Sequence, residues 1–277
     1  MGWLAAKRYI LYAGAASRAH SLKGSRGPMV ADVYNLGQLS GLAGIGPRWA
    51  VGGLLTLLFA VLARRMHGVT TSGALAGAVS CFVLYLGAGS GAFAALITVF
   101  GLAWITTRLG YQRKLKLGTA EKREGRKASQ VVANLGVATL CAALHAFRPD
   151  HAVLLLALAA ALSEAAADTV SSEVGQAFGE KARLITDWTS VPPGTNGAVS
   201  MTGTLAGIAA AAIVSAVCVF GGVLPRPWLV ISLSAAVLGM VADSFLGAWL
   251  ERRGWLNNDS VNFLGTAVAA LAAYWLS

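Results

Sequence analysis

Long apolar runs, separated by short polar segments, fill most of the chain. The runs are about 16–24 residues long, the length of a membrane-spanning helix, and are rich in Ala, Leu, Val and Gly. They lack the alternation of apolar and polar positions that marks the strands of a membrane barrel. The pattern therefore predicts an all-α fold, a polytopic integral membrane helical bundle of about eight spans. We place these spans roughly at residues 49–63, 71–86, 92–107, 131–147, 152–171, 198–223, 228–250 and 261–276.

The composition agrees with this pattern and excludes a soluble globular domain. The chain is 56% hydrophobic and only 12% charged, whereas soluble domains carry about 25% charged residues. We expect residues 47–277 to form a multi-span membrane catalytic domain. Residues 1–46 are expected to be an N-terminal extension, with an interfacial helix at residues 2–16 or a ninth membrane element at residues 3–16, and irregular structure at residues 21–46.

The basic residues predict the orientation of the chain in the membrane. The loops after spans one, three, five and seven hold fourteen Arg and Lys residues, whereas the alternate loops hold only Arg148 and Arg226. Since basic loops stay in the cytoplasm, we expect the first set to be cytoplasmic. The membrane would be a cell inner membrane or an organellar envelope. The net charge of +10 also fits an anionic substrate or a nucleotide.

Three acids, Glu164, Asp168 and Glu173, lie in the cytoplasmic half of span five. Ionised side chains are costly in lipid and usually mark a functional site. Glu164 and Asp168 are four residues apart and share a helix face. Glu173 is about 140° round the helix from Asp168, so it joins them only if the helix ends near Ser171. The alternative is an interhelical network of ion pairs or hydrogen bonds.

A glycine-rich turn, VPPGTNGAVS at residues 191–200, precedes span six. Gly194 and Gly197 let the backbone approach a ligand closely. The N–H groups at the start of the next helix favour an anion there. The lysine of a Walker A motif is absent from the turn. Such a turn often has no function of its own, but its position beside the acids favours phosphate binding.

Further polar residues are predicted on the same side of the membrane. Asp243 lies between Gly239 and Gly247 on one face of span seven. The glycines are typical of close helix packing, which does not explain the acid. The other polar residues near this face are Arg126, Lys127, Asn134, Asp259 and Asn262.

We therefore expect one phosphate- and metal-binding site. Closely spaced carboxylates in a low-dielectric site share a proton, hold a cation or meet Arg or Lys. Mg²⁺ is commonly held by one or two carboxylates together with substrate phosphates. The candidate Mg²⁺ ligands are Glu164, Asp168, Glu173, Asp243 and Asp259, and the catalytic candidates are Glu164, Asp168 and Asp243. The candidate phosphate-binding residues are Arg126, Lys127, Asn134, Gly194, Thr195, Asn196, Gly197, Ser200 and Asn262.

Five segments contain all of these candidate residues. They are RKASQVVAN (126–134), EAAADTVSSEVG (164–175), PPGTNGAVS (192–200), ADSFLGA (242–248) and NDSVNFLGT (258–266). Together they resemble the transmembrane protein 19 family. This family includes the phytyl-phosphate kinase of vitamin E synthesis in plants and cyanobacteria. The similarity covers most of residues 70–277, although the family often has Gly at position 198 and Asn at position 128, where this chain has Ala.

The resemblance implies an integral-membrane kinase. It would transfer the γ-phosphoryl group of a nucleoside triphosphate, CTP or ATP, to an isoprenyl monophosphate such as phytyl phosphate. Mg²⁺ and membrane lipids would be its other partners, and no nucleic acid is expected. Because the acceptor phosphate is already ionised, positioning and charge neutralisation are enough for catalysis. Two other functions stay open, an ion-coupled membrane transporter and a CTP-dependent cytidylyltransferase acting on a lipid phosphate.

Overall fold

The computed structural model describes residues 29–121 and 124–277, with side chains from residue 46 onward. A compact unit spans Trp49–Ser277 and contains two cavities that ligands could enter. The expected interfacial helix at residues 2–16 lies outside the described residues. The expectation of irregular structure up to residue 46 is wrong from Met29, where the first helix begins. The expectation rests on the Gly, Ser and Pro content of this segment. Isolated Gly residues weaken a helix by about 1 kcal/mol each but do not end it.

Helices make up most of the described residues. Six of them are long and apolar enough to cross a membrane. The helices are α1 (Met29–Arg65), α2 (Thr71–Arg108), α3 (Tyr111–Leu117), α4 (Ala128–Phe147), α5 (Val153–Phe178), α6 (Met201–Phe220), α7 (Trp228–Leu246), which continues as a π-helix (Gly247–Glu251), and α8 (Asn258–Leu276).

Helix α2 provides two passes rather than one. Its 38 residues would extend about 57 Å if straight, roughly twice the bilayer core. Gly89 breaks it with a φ of +81°. The Trp104 indole and the Arg108 guanidinium, near its end, both donate to the Met66 carbonyl just before its start, at 3.1 and 2.7 Å. The chain therefore reverses at Gly89, which divides α2 into a first arm (71–88) and a second arm (90–108). If each arm and α8 count as one pass, the described helices give about eight passes, as predicted.

Helix α5 is the central helix of the bundle. Every residue from Leu156 to Ala167 is buried, and the helix packs against α2, α4, α6, α7 and α8. Its alanine-rich surface lets neighbouring backbones come close. On α6, a Cβ added to Gly203 would lie 2.5 Å from the Ser171 carbonyl oxygen. Helix α5 continues to Phe178, seven residues beyond the predicted end of span five.

A small sheet connects α5 to α6 and was not predicted. Strand β1 (Ala182–Leu184) pairs antiparallel with β2 (Ser190–Val191) and β3 (Ala198–Val199), in the order β2-β1-β3. Since residues 198–199 belong to β3, the predicted start of span six at residue 198 is wrong. Helix α6 begins at Met201, and the Ser200 hydroxyl caps it by accepting from the Gly203 N–H at 3.1 Å.

Candidate functional site

A polar cavity of about 320 Å³ lies between the ends of α5, α7 and α8 and the turn between β2 and β3. Its acids are Asp168, Asp243 and Glu251. The structure thus brings together two of the predicted catalytic acids and six of the predicted phosphate-binding residues. Those six are Gly194, Thr195, Asn196, Gly197, Ser200 and Asn262.

The glycine-rich turn forms one wall of the polar cavity. Gly194 and Gly197 have φ values of +88° and +77°, which favour glycine. A Cβ at Gly197 would lie 2.5 Å from the Ala248 backbone nitrogen. The Thr195 hydroxyl donates to the Pro192 carbonyl at 2.8 Å and tightens the turn. Backbone N–H groups and the start of α6 are therefore held close to the acids.

Asp168 and Asp243 both line the polar cavity, and their carboxylates are close enough to interact across the α5–α7 interface. Glu251 is close enough for its charge to act on both. The sequence reading missed Glu251, because it directly precedes Arg252 and looked like part of a basic loop. The π-helix inserts one extra residue into the turn. The angle between Glu251 and Asp243 about the helix axis is therefore about 20°, instead of the roughly 80° of a regular α-helix.

Glu164 lies behind the polar cavity rather than in its wall. It is 1% exposed, and its Oε1 has no hydrogen-bond partner among the described residues. Asp243 Oδ2 likewise has no hydrogen-bond partner among the described residues. A Cβ added to Gly265 of α8 would lie 2.6 Å from the first oxygen and 3.2 Å from the second. Two buried carboxylate oxygens thus face one small space beside α8. Buried polar atoms rarely lack a hydrogen-bond partner, so a ligand or a proton is expected between them.

Glu173 does not belong to this site. Helix α5 continues past Ser171, so Glu173 faces α3 and lies 2.5 Å from the buried Lys114 ammonium. It also accepts from the Thr107 hydroxyl at 3.0 Å. The assignment of Glu173 as a metal ligand is therefore wrong, and the alternative of an interhelical ion pair applies to it.

Asp259 lies beside the polar cavity but not in its wall. Asn258 and Asn262 line the cavity and, being four residues apart, lie on the same face of α8. Asp259 lies on a different face of this helix. Across the described parts of the chain, no group of three or more His, Cys, Asp or Glu side chains could hold a metal ion. The predicted set of five carboxylate ligands is therefore not assembled, and the pair Asp168–Asp243 is what the structure offers.

Arg126 and Asn134 lie at a neighbouring apolar cavity rather than at the polar one. They line that cavity, which is formed by α1, both arms of α2 and the start of α4. The backbone of Arg126 is held by hydrogen bonds with Gly68 and Thr70, and its charge is close enough to act on Asp168. Lys127 is exposed and lines neither cavity, but its N–H donates to the Gln130 side chain at 2.8 Å.

Sequence comparisons identify the family. A family model described as "Integral membrane protein DUF92" matches residues 54–270, most of the chain. The chain belongs to the DUF92 family. This membership confirms the resemblance to the transmembrane protein 19 family and shows a multi-pass integral membrane protein.

Relatives of the DUF92 chain occur in several lineages. It is 36% identical over 195 residues to "Uncharacterized membrane protein sll0875" of Synechocystis, covering 68% of this chain and 76% of the relative. It is 30% identical over 237 residues to "Protein VTE6, chloroplastic" of Arabidopsis thaliana, covering 82% and 71%. It is 31% identical over 222 residues to "Uncharacterized membrane protein MJ0933" of Methanocaldococcus jannaschii, covering 79% and 90%. No solved structure matches the chain.

Proposed function

We propose that the protein is an integral-membrane prenyl-phosphate kinase that transfers the γ-phosphoryl group of CTP or ATP to an isoprenyl monophosphate such as phytyl phosphate. One observation carries the proposal. The polar cavity combines two adjacent carboxylates, Asp168 and Asp243, with a glycine-rich turn and a helix start. Carboxylates that hold a cation, next to backbone N–H groups that bind anions, are what phosphoryl transfer requires.

Family membership supports the same function. The chain belongs to the DUF92 family and resembles the transmembrane protein 19 family, which includes phytyl-phosphate kinase. The relative named as a chloroplast protein of Arabidopsis thaliana matches 82% of this chain. A kinase acting on a lipid phosphate also explains why the site is built at the end of membrane helices.

Mg²⁺ fits the donors that the polar cavity offers. One or two carboxylates plus substrate phosphates are a common arrangement around this ion. Asp168 and Asp243 would supply the carboxylates, and Asp243 Oδ2 has no hydrogen-bond partner among the described residues. When bound, the ion would neutralise the negative charge of the phosphates.

The proposed reaction needs no proton transfer. An ionised oxygen of the prenyl monophosphate attacks the γ-phosphorus and forms a new P–O bond. The bond between the γ-phosphorus and the β–γ bridging oxygen breaks, and its electron pair leaves with the nucleoside diphosphate. The protein has to hold two polyanions in line and reduce their repulsion. The N–H groups of the glycine-rich turn and of the α6 start, together with Arg126, would do this.

The positions of the basic residues support a cytoplasmic orientation of the site. The loops around Met66, Arg108 and Arg126 lie at one end of the bundle, joined by hydrogen bonds. These loops, with the short helix α3, carry ten of the sixteen Arg and Lys residues of positions 49–277. The polar cavity lies near them, since the charge of Arg126 is close enough to act on Asp168. We therefore place the active site on the cytoplasmic face, where nucleoside triphosphates are available.

The direct test is a product analysis with purified protein in lipid nanodiscs. Phytyl or geranylgeranyl monophosphate is incubated with Mg²⁺ and CTP or ATP labelled at the γ-phosphorus. The expected products are labelled prenyl diphosphate and unlabelled nucleoside diphosphate. A folded protein that makes no diphosphate with any acceptor or nucleotide would overturn the proposal. A CMP-linked lipid with released pyrophosphate would show a cytidylyltransferase, and substrate counterflow in proteoliposomes would show a transporter.

A further inference from the structure

The apolar cavity has the size and the lining of a site for a hydrophobic ligand. Its volume is about 570 Å³, within the range of about 300–1,000 Å³ that is usual for ligand sites. It shares no lining residue with the polar cavity. Its wall comes from α1, both arms of α2 and α4, and includes Phe59, Leu96, Val99, Phe100, Val131 and Leu135.

One end of the apolar cavity carries a net positive charge. Arg108 and Arg126 line it there, beside the connection between α1 and α2, against a single carboxylate in the described lining, that of Glu121. The Arg108 guanidinium lies 4.0 Å from the centre of the Trp104 ring. Arg126 lines the apolar cavity, yet its charge acts on Asp168 in the wall of the polar cavity. A ligand with an anionic head and an apolar tail would match this arrangement, with its head toward the acids.

The depth of the apolar cavity depends on small residues of α2. Gly73 packs directly against the Arg126 backbone, whereas Gly77, one turn deeper, faces open space. A Cβ added to Gly77 would meet only Val131 Cγ1, at 4.0 Å. Along the second arm, the lining runs from Thr107 to Leu96, which is about 16 Å at the usual helical rise. The cavity thus extends along about three turns of the second arm of α2.

We propose that the apolar cavity holds the prenyl tail of the phosphate acceptor and that Gly77 sets the length of tail it accepts. This inference rests on the proposed kinase function. The phosphate head lies at Arg126, between the apolar cavity and the Asp168–Asp243 pair. The tail extends away from Arg126 along the first arm of α2 toward Leu96 and Leu135.

A graded series at Gly77 tests the inference. Gly77→Ala, Gly77→Leu and Gly77→Phe fill the cavity stepwise, and a helical Gly replaced by these residues does not weaken the helix. For Gly77→Leu and Gly77→Phe, kcat/KM with a twenty-carbon prenyl monophosphate should fall about tenfold or more, the scale of a filled hydrophobic pocket. Turnover of the ten-carbon acceptor should stay within about twofold. The matched control is Gly101→Leu, a glycine of the same helix that has open space but does not line the cavity.

A binding measurement separates this inference from the kinase function. A twenty-carbon prenyl monophosphate with a diazirine at the tail end is photo-crosslinked to the protein in nanodiscs without nucleotide, and the labelled peptides are sequenced. Labels near Leu96 and Leu135 that Gly77→Phe abolishes support the inference, whether or not the protein forms diphosphate.

Three results would overturn the inference. The first is active wild-type protein together with Gly77 variants whose kcat/KM values for the two acceptor lengths have the same ratio as those of Gly101→Leu. The second is equal loss of activity with both acceptor lengths. The third is photo-crosslinking that added phospholipid reduces as strongly as added unlabelled prenyl monophosphate does. The cavity would then be a general lipid site. Absence of diphosphate from the wild type, with labelling confined to the cavity, would refute the kinase function alone.

Discussion

Glu164 Oε1 and Asp243 Oδ2 face the same small space beside Gly265, and neither has a hydrogen-bond partner among the described residues. The two acids come from α5 and α7, and α8 closes the space with a residue that has no side chain. The arrangement leaves room for a proton, a water molecule or a cation between the carboxylates. Asp243 thereby connects Glu164 to the polar cavity, where its carboxylate meets Asp168.

Gly265→Ala should reduce diphosphate formation at least about tenfold without unfolding the protein, an effect typical of a misplaced catalytic group. The added Cβ would lie 2.6 Å from Glu164 Oε1 and would push both carboxylates aside. Activity and thermal unfolding in nanodiscs are the measurements. The matched control is Gly136→Ala on α4, where the added Cβ would make an ordinary contact of 3.4 Å with Phe263. Wild-type turnover in Gly265→Ala would contradict this account of the acids.

Lys114→Met should lower the free energy of unfolding by about 3–5 kcal/mol, because the largely buried Glu173 side chain, which is 12% exposed, would be left without its partner. The Lys114 ammonium is fully buried and also donates to the Thr106 and Thr107 carbonyls at 3.0 and 2.7 Å. Adding Glu173→Gln should recover part of the loss in a double-mutant cycle. The control is Lys116→Met, at an exposed position of the same helix. A double variant no more stable than Lys114→Met would show that the ion pair is not what holds α3 to α5.

Glu173→Gln alone should keep the catalytic turnover of the wild type in whatever fraction of protein remains folded. Its carboxylate contacts Lys114 and Thr107 rather than the polar cavity. Single-turnover assays on the folded fraction, isolated by size-exclusion chromatography, measure this. A loss of turnover as large as that of an Asp168 variant would return Glu173 to the metal site.

Gly197→Ala should cost about 1–3 kcal/mol of stability from backbone strain alone, and more from collision with Ala248. The variant should also lose activity, because the turn would move away from the acids. Gly254→Ala is the matched control, since Gly254 has a φ of +73° but nothing within 4 Å of an added Cβ. Thermal unfolding of both variants separates strain from collision. Equal destabilisation would show that Ala248 does not hold the turn in place.

Arg126→Gln should reduce kcat/KM for the prenyl monophosphate about 30-fold or more, as expected when one partner of a desolvated charge pair is removed. Stability should change little, because Arg126 contributes to the fold through its backbone hydrogen bonds at 3.0 and 3.1 Å. Arg148→Gln, at an exposed residue of an alternate loop, is the control. Unchanged kinetics for Arg126→Gln would remove Arg126 from the phosphate-binding residues.

The membrane helices could be predicted because long apolar runs have few alternatives in a bilayer. The convergence of Asp168, Asp243 and the glycine-rich turn was also accessible, since loop charges place all three at one end of the bundle. The break at Gly89 was anticipated as a connection between two spans. Its form, a reversal within a nearly continuous helix, depends on a single residue with positive φ.

Other features depend on partners far apart in sequence. Lys114 looked like one of many loop charges, and only the fold brings it to Glu173. The strands have two or three residues each, too few to show an alternating pattern. Glu251 reaches the polar cavity only because a π-helix shifts the register after Gly247. The apolar cavity arises from gaps between three helices, which no single run of residues reveals.

The most direct test of the central claim compares Asp168→Asn and Asp243→Asn with the wild type in the diphosphate assay. Both variants keep the size of the side chain and remove its charge, so the folded protein should persist while turnover falls at least about 100-fold. Asp150→Asn, at an exposed residue near the start of α5, should match the wild type. Wild-type formation of prenyl diphosphate by both Asp168→Asn and Asp243→Asn would contradict the account, because the phosphoryl transfer would then occur without the pair around which the site is built.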